Sequence, residues 1–153
     1  MVAAIVIVLD QLTKHWAINR LSDGRDIDVI GSLRFNLAFN SGMAFSRGEG
    51  LGPIIGVVAV IVVSVLLVGL RREGSRLGDI ASGMVIGGAL GNVVDRLFRG
   101  DGWFQGSVVD FIDLQWWPIF NVADMAITIG GVLLVLGTVF AGSSATAPSD
   151  PVP

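Results

Sequence analysis

The sequence has no cysteine and a single histidine, His15. With no thiol there is no disulfide, no thiolate nucleophile and no thiolate metal site. One imidazole argues against a His-based zinc site and against a Ser-His-Asp triad. Charge is also scarce. Only 15% of the 153 residues are Asp, Glu, Lys or Arg, the net charge is -3, and no basic block is present. That balance argues against a nucleic-acid partner. What remains is apolar: 52% of the chain is hydrophobic and 21 residues are glycine. This is too apolar for an ordinary soluble domain and suits a polytopic membrane protein whose helices pack closely in lipid. The length allows one membrane domain of about four spans.

Taken in order, residues 1–19 read as a first transmembrane helix with a polar outer end. A signal peptide is rejected, because there is no basic leading region and no small-residue cleavage site. Nine residues before Asp10 cover only about 14 Å of helix. Either Asp10 lies well inside the membrane, or the chain starts later than a full first span would. Asp10 and Lys14 are four apart and can pair along the helix. Residues 20–50 mix turn signals with short alternating stretches, as expected for strands outside the bilayer. Residues 51–70, 77–98 and 117–141 read as the second, third and fourth spans. Pro118 fits the first turn of the fourth. Residues 99–116 form a polar connection, and residues 142–153 a disordered cytoplasmic tail. The expected fold is an all-α polytopic membrane protein of four transmembrane helices, with a small extracytoplasmic β-rich platform between helices one and two. The domain is residues 1–141.

Arg71, Arg72 and Arg76 make 71–76 the densest basic loop, so the positive-inside rule puts it in the cytoplasm. Both termini are then cytoplasmic, and residues 20–50 and 99–116 face outside. The polar residues of three spans converge on that outer side: Asp10 and Lys14; Asn92, Asp95 and Arg96; Asn121 and Asp124.

The informative run is 108–126, which sets Asp110, Asp113, Asn121 and Asp124 among apolar and aromatic residues. Carboxylates beside hydrocarbon are expensive and point to function. A chain reversal near Trp116-Trp117 would bring Asp110 and Asp124 together. The tryptophans read as interface anchors, and His15 beside Trp16 as an interfacial residue. Spacing alone does not choose between Asp110 and Asp113. Nor does it separate a catalytic dyad from a proton pathway or from structural salt bridges. Asn92 and Arg96 share a helical face, either as a packing hydrogen bond with a snorkelling Arg or as a substrate-binding pair. Asp95 lies on another face and reads as a structural partner for a basic residue. Asn40 is a turn residue or a ligand contact, and Gly42 permits close backbone approach. A proton-coupled transporter would put its acids near the midplane and often shows internal repeats. Here the acids cluster at one end and no repeat is evident.

Five short elements occur in order: Asp10-Gln11-Leu12-Thr13-Lys14, Asn40-Ser41-Gly42-Met43-Ala44-Phe45-Ser46, Gly91-Asn92-Val93-Val94-Asp95-Arg96-Leu97, Val108-Val109-Asp110-Phe111-Ile112 and Phe120-Asn121-Val122-Ala123-Asp124-Met125-Ala126-Ile127. Together they resemble the bacterial lipoprotein signal peptidases (type II signal peptidases), over about residues 4–140. Met43 stands where the family more commonly has Ala. The resemblance implies that Asp110 and Asp124 are the catalytic aspartates and demotes Asp113. It implies that Asn40, Asn92, Arg96 and Asn121 line the substrate site and that Asp10 and Lys14 give structural support, the role the residues themselves suggest for Gly42 and Asp95. It further implies a diacylglyceryl-modified prolipoprotein substrate cut before the lipidated Cys, with no metal and no other cofactor. A monomer in the bacterial cell membrane, with its site near the outer face, is the expected setting.

Overall fold

A computed structural model describes residues 1–42, 52–69, 75–102 and 104–144. Most of the basic loop (71–74), the platform segment 43–51 with Met43, and the tail from 145 lie outside the described residues. The elements run α1 (Val2–Leu21), β1 (Ile27–Ile30), β2 (Leu33–Asn40), α2 (Gly52–Gly69), α3 (Arg76–Phe98), β3 (Val108–Asp113) and α4 (Val122–Ser144).

The polarity of α1 is inverted relative to a soluble helix. Its buried residues are Asp10, Lys14, Ala17 and Leu21, while Ile5, Val8, Leu9 and Leu12 are exposed. Ile54, Val57, Ile61 and Val65 of α2 and Ile129, Val132 and Val135 of α4 are exposed as well. Among the described residues α3 is the one helix long and apolar enough to cross a membrane, and Ile54–Leu66 and Val122–Gly137 are shorter apolar stretches. Asp10, Gln11, Thr13, Lys14 and His15 dilute α1 by comparison.

The central element is α3, which packs against each of the other three helices. Ser75 caps it, its hydroxyl accepting from the Gly78 N–H at 3.1 Å. Small residues let the neighbours close in. At Gly91 a Cβ would stand 2.6 Å from Asp10 Oδ2, so only glycine leaves room for that carboxylate.

The sheet is where the structure departs from sequence expectation. It has three antiparallel strands in the order β1-β2-β3. The third comes from residues 108–113, which read as part of a polar connection. Pairing sets Ala38 opposite Asp110, Asn40 opposite Val108 and Arg34 opposite Asp113. Asp110 therefore sits on a strand rather than in a loop. The sheet is fixed to the end of α1 by Ala17, Leu21 and Phe111 packed with Phe35, Leu37 and Val122. Trp16 meets the Phe35 ring edge-on at 5.2 Å.

The chain does reverse near Trp116-Trp117, since Phe120 returns to bridge Ile112. However, α4 begins at Val122, four residues after Pro118. Its start is set by a capping box, not by the proline. Asn121 Oδ1 accepts from the Asp124 N–H at 2.9 Å, and Asp124 Oδ2 accepts from the Asn121 N–H at 3.2 Å.

Candidate active site

The two aspartates singled out by the resemblance reach one cavity from different elements: Asp110 from the central part of β3, Asp124 from the first turn of α4. The cavity, of about 450 Å³, is also lined by Asn40, Gly42, Asn92 and Arg96. Asn121 joins the two carboxylates. Its Nδ2 donates to Asp110 Oδ1 at 2.7 Å, while its backbone N–H donates to Asp124 Oδ2. Asn40 Nδ2 donates to Asp110 Oδ2 at 3.1 Å, and Asn92 Nδ2 donates to Asp124 Oδ1 at 2.9 Å. Each carboxylate thus has both oxygens held by amide donors, which fixes its orientation.

These amides are themselves oriented. Asn40 Oδ1 accepts from the Gly42 N–H at 3.1 Å, and the Gly42 carbonyl accepts from Arg96 Nη2 at 3.3 Å. Arg96 is buried, and among the described residues its Nη1 has no hydrogen-bond partner. Asn92 Oδ1 accepts from Lys14 Nζ at 2.9 Å, which forces its Nδ2 toward Asp124. Lys14 also pairs with Asp10 and Asp95, at 2.8 Å each, and all three side chains are fully buried. Asp10 in turn accepts from the Ala123 N–H at 3.0 Å, and Asp95 from the Val109 N–H at 3.2 Å. The charged cluster under the cavity therefore grips the backbone beside both aspartates.

Asp113 goes elsewhere. Successive side chains on a strand alternate faces, so residues three apart point oppositely. Asp113 pairs with Arg34 at 2.7 Å and accepts from Asn36 at 3.4 Å. The two carboxylates are shifted in opposite directions. Burial, and after it the Asp124 charge, pushes the Asp110 carboxyl up to about 7 against the amide bonds that favour its anion. Burial also works against the Asp113 charge, but Arg34, the Gln115 N–H and Asn36 overcome it and hold that carboxyl below the usual range. Asp113→Asn should therefore leave turnover within about threefold while weakening the sheet by roughly 1 kcal/mol. Cleavage kinetics and a melting curve measured on the same preparation check both.

Sequence reasoning placed Asn40, Asn92, Arg96, Asn121, Asp110 and Asp124, and these do come together. It missed Gln11, whose amide donates to the Gly91 carbonyl at 3.1 Å and to Asp10 and Asp95 at 3.2 Å each. An amide in an apolar helix beside Asp10 was the available signal. It also missed the α2 wall of the cavity, Ile55, Gly56, Val58, Ala59 and Val62, which no local pattern distinguishes from a lipid-facing span.

The chain matches the model of the family described as signal peptidase (SPase) II over residues 2–140. It is 42% identical over 141 residues to a lipoprotein signal peptidase of Mycobacterium avium (strain 104), covering 91% of this chain and 77% of that one. It is 43% identical over 139 residues to a lipoprotein signal peptidase of Rhodococcus jostii (strain RHA1), covering 90% and 70%. Among solved structures, a bacterial membrane enzyme determined by the in meso method at 2.3 Å resolution superposes with a TM-score of 0.82 at 27% identity. The match covers 99% of this chain and 92% of that one. A buried and a half-buried aspartate bridged by an amide in one cavity, within a family match that spans nearly the whole chain, lead to one assignment: this chain belongs to the signal peptidase II family of aspartic peptidases.

Proposed function

We propose that the protein removes signal peptides from diacylglyceryl-modified prolipoproteins, cutting before the lipidated Cys, with Asp110 and Asp124 as the catalytic pair. The observation that carries this reading is the single Asn121 side chain and backbone holding both carboxyls at one cavity. A peptide bond needs a base to activate water and an acid to protonate the leaving nitrogen. Two carboxyls sharing one proton supply both. One takes a proton from water as the oxygen adds to the scissile carbonyl. The other donates its proton to the carbonyl oxygen, giving a tetrahedral diol. Collapse of the diol breaks the C–N bond as one carboxyl protonates the nitrogen and the other carboxylate takes the proton of a diol hydroxyl, which restores the shared proton. Asn40, Asn92 and Asn121 hold the pair, and Arg96 offers its spare Nη1 donor to a substrate carbonyl.

In this reading all four helices, α1 to α4, cross the membrane. The exposed apolar faces of α1, α2 and α4 support it. The termini are cytoplasmic and the site lies near the outer face, so acyl chains stay in the bilayer while the peptide lies across the polar end of the bundle. Residues 1–141 form one peptidase domain, although α4 itself runs on to Ser144, past the tail boundary expected at 142. In this reading the protein acts as a monomer.

The test is release of signal peptide from a diacylglyceryl-modified prolipoprotein by the purified protein in lipid vesicles. The same substrate without its lipid should be cut far more slowly, and failure to cut the modified form would refute the reading. Because the proposed chemistry uses no metal, EDTA should leave the rate unchanged. Loss of activity that zinc restores would overturn the acid–base mechanism.

A further inference from the structure

The cavity wall formed by α2 is held at two levels. Midway, Val63 packs with Ile86 and Ala89 of α3, with Leu66 and Leu90 beside them. Nearer the dyad, the hold comes from the loop between α3 and β3. Phe104 on that loop is 6% exposed, and its ring lies directly on Gly56 of α2. A Cβ on Gly56 would overlap ring atoms Cδ1 and Cε1 and stand 3.2 Å from Cγ. Phe104 takes up this seat with φ +58, a conformation a bulky side chain seldom adopts. Such strain persists only where surrounding contacts impose it.

The loop can impose it because its base is stiff. The Gly106 N–H donates to the Arg96 carbonyl at 3.0 Å, and the Gln105 N–H to the Gly102 carbonyl at 3.1 Å. A Cβ on Gly106 would overlap the Asp95 carbonyl, so the loop lies flat on the end of α3. The same turn of α3 carries Arg96, which lines the cavity. The hook therefore runs from the cavity floor to the cavity wall. On the wall, Ile55, Gly56, Val58 and Ala59 share the cavity with Asp110 and Asp124. Side chains flanking the cleaved bond must lie against them.

We propose that Phe104 is a positioning residue that latches the outer part of α2 through Gly56 and so sets the width of the groove opposite the aspartates, making the Phe104–Gly56 contact a determinant of which side chains are accepted beside the cleaved bond. The proposal rests on the reading that this cavity holds the substrate peptide. It adds that the selectivity of the cavity is controlled by a contact outside it.

Two substrates differing only by Ala or Phe immediately before the cleaved bond provide the first readout. With the wall latched, the wild type should favour Ala. Phe104→Ala reduces that preference at least fivefold, mainly through a lower KM for the Phe substrate, while the Ala substrate is still cut. Gly56→Ala drives out the ring and also reduces the preference. The double variant Gly56→Ala/Phe104→Ala is no worse than Phe104→Ala, since the clash is gone. Phe104→Leu, which keeps an apolar plug, retains most of the selectivity. The second readout needs no activity. The chain has no cysteine, so spin labels on exposed Val60 and Ile129 report the α2–α4 distance in nanodiscs. That distribution broadens in Phe104→Ala and stays narrow in Phe104→Leu. An unchanged distribution, or an equal loss of kcat/KM on both substrates, overturns the latch. A wild type that cuts neither substrate refutes the peptidase reading, and the distance measurement still decides the latch.

Discussion

Lys14→Met should destabilise the protein by about 3–5 kcal/mol, the cost of leaving a buried charge without its partner. Lys14 is fully buried and spends its three donors on Asp10, Asp95 and Asn92. Its removal strands two carboxylates from different helices. Asp95 keeps Arg99 at 2.7 Å, but Asp10 is left with the Gln11 amide and the Ala123 N–H. Water cannot relieve them, because both are at zero exposure. The loss should appear as a fall in melting temperature of about 10 °C in detergent. Lys14→Met/Asp10→Asn should recover part of it, because one stranded charge is gone. A single variant that melts with the wild type would show that the buried cluster carries little of the fold.

Asp110→Asn and Asp124→Asn should each lower turnover by about 10³-fold or more, since each removes a proton-transfer group from the pair. Stability should move the other way for Asp110. Its folded-state pKa is raised, to about 7 from 3.8. A raised carboxyl contributes stability that is fully present below pH 3.8 and is lost as pH rises through about 7. Asp110→Asn should therefore gain on the wild type at pH 8, with the difference shrinking toward pH 4. Wild-type turnover should fall above about pH 7, where the pair loses its shared proton. Thermal melts and rates across that range check both slopes.

The elements of this site were legible to different degrees. Asp10 and Lys14 could be paired from their i,i+4 spacing. The convergence of three polar helix ends followed from orientation. Asp110 and Asp113 could not be separated locally. Strand alternation puts them on opposite faces, but which face turns inward depends on β2, some seventy positions away in pairs such as Ala38 with Asp110. For the same reason β3 read as a connection. Pro118 drew the start of α4 too early, because a side-chain capping box between Asn121 and Asp124 outweighed the proline preference. That capping box was written in the sequence as Asn-x-x-Asp and was the better signal. The Phe104–Gly56 contact had no sequence trace, since a glycine in a span and an aromatic in a loop are each unremarkable alone.

The most direct test of the central claim is single-turnover cleavage of a diacylglyceryl-modified prolipoprotein by purified Asp110→Asn and Asp124→Asn, each first shown to melt no lower than the wild type at pH 8. The account predicts that neither releases signal peptide above about one-thousandth of the wild-type rate. Cleavage by either variant within tenfold of the wild type would contradict it.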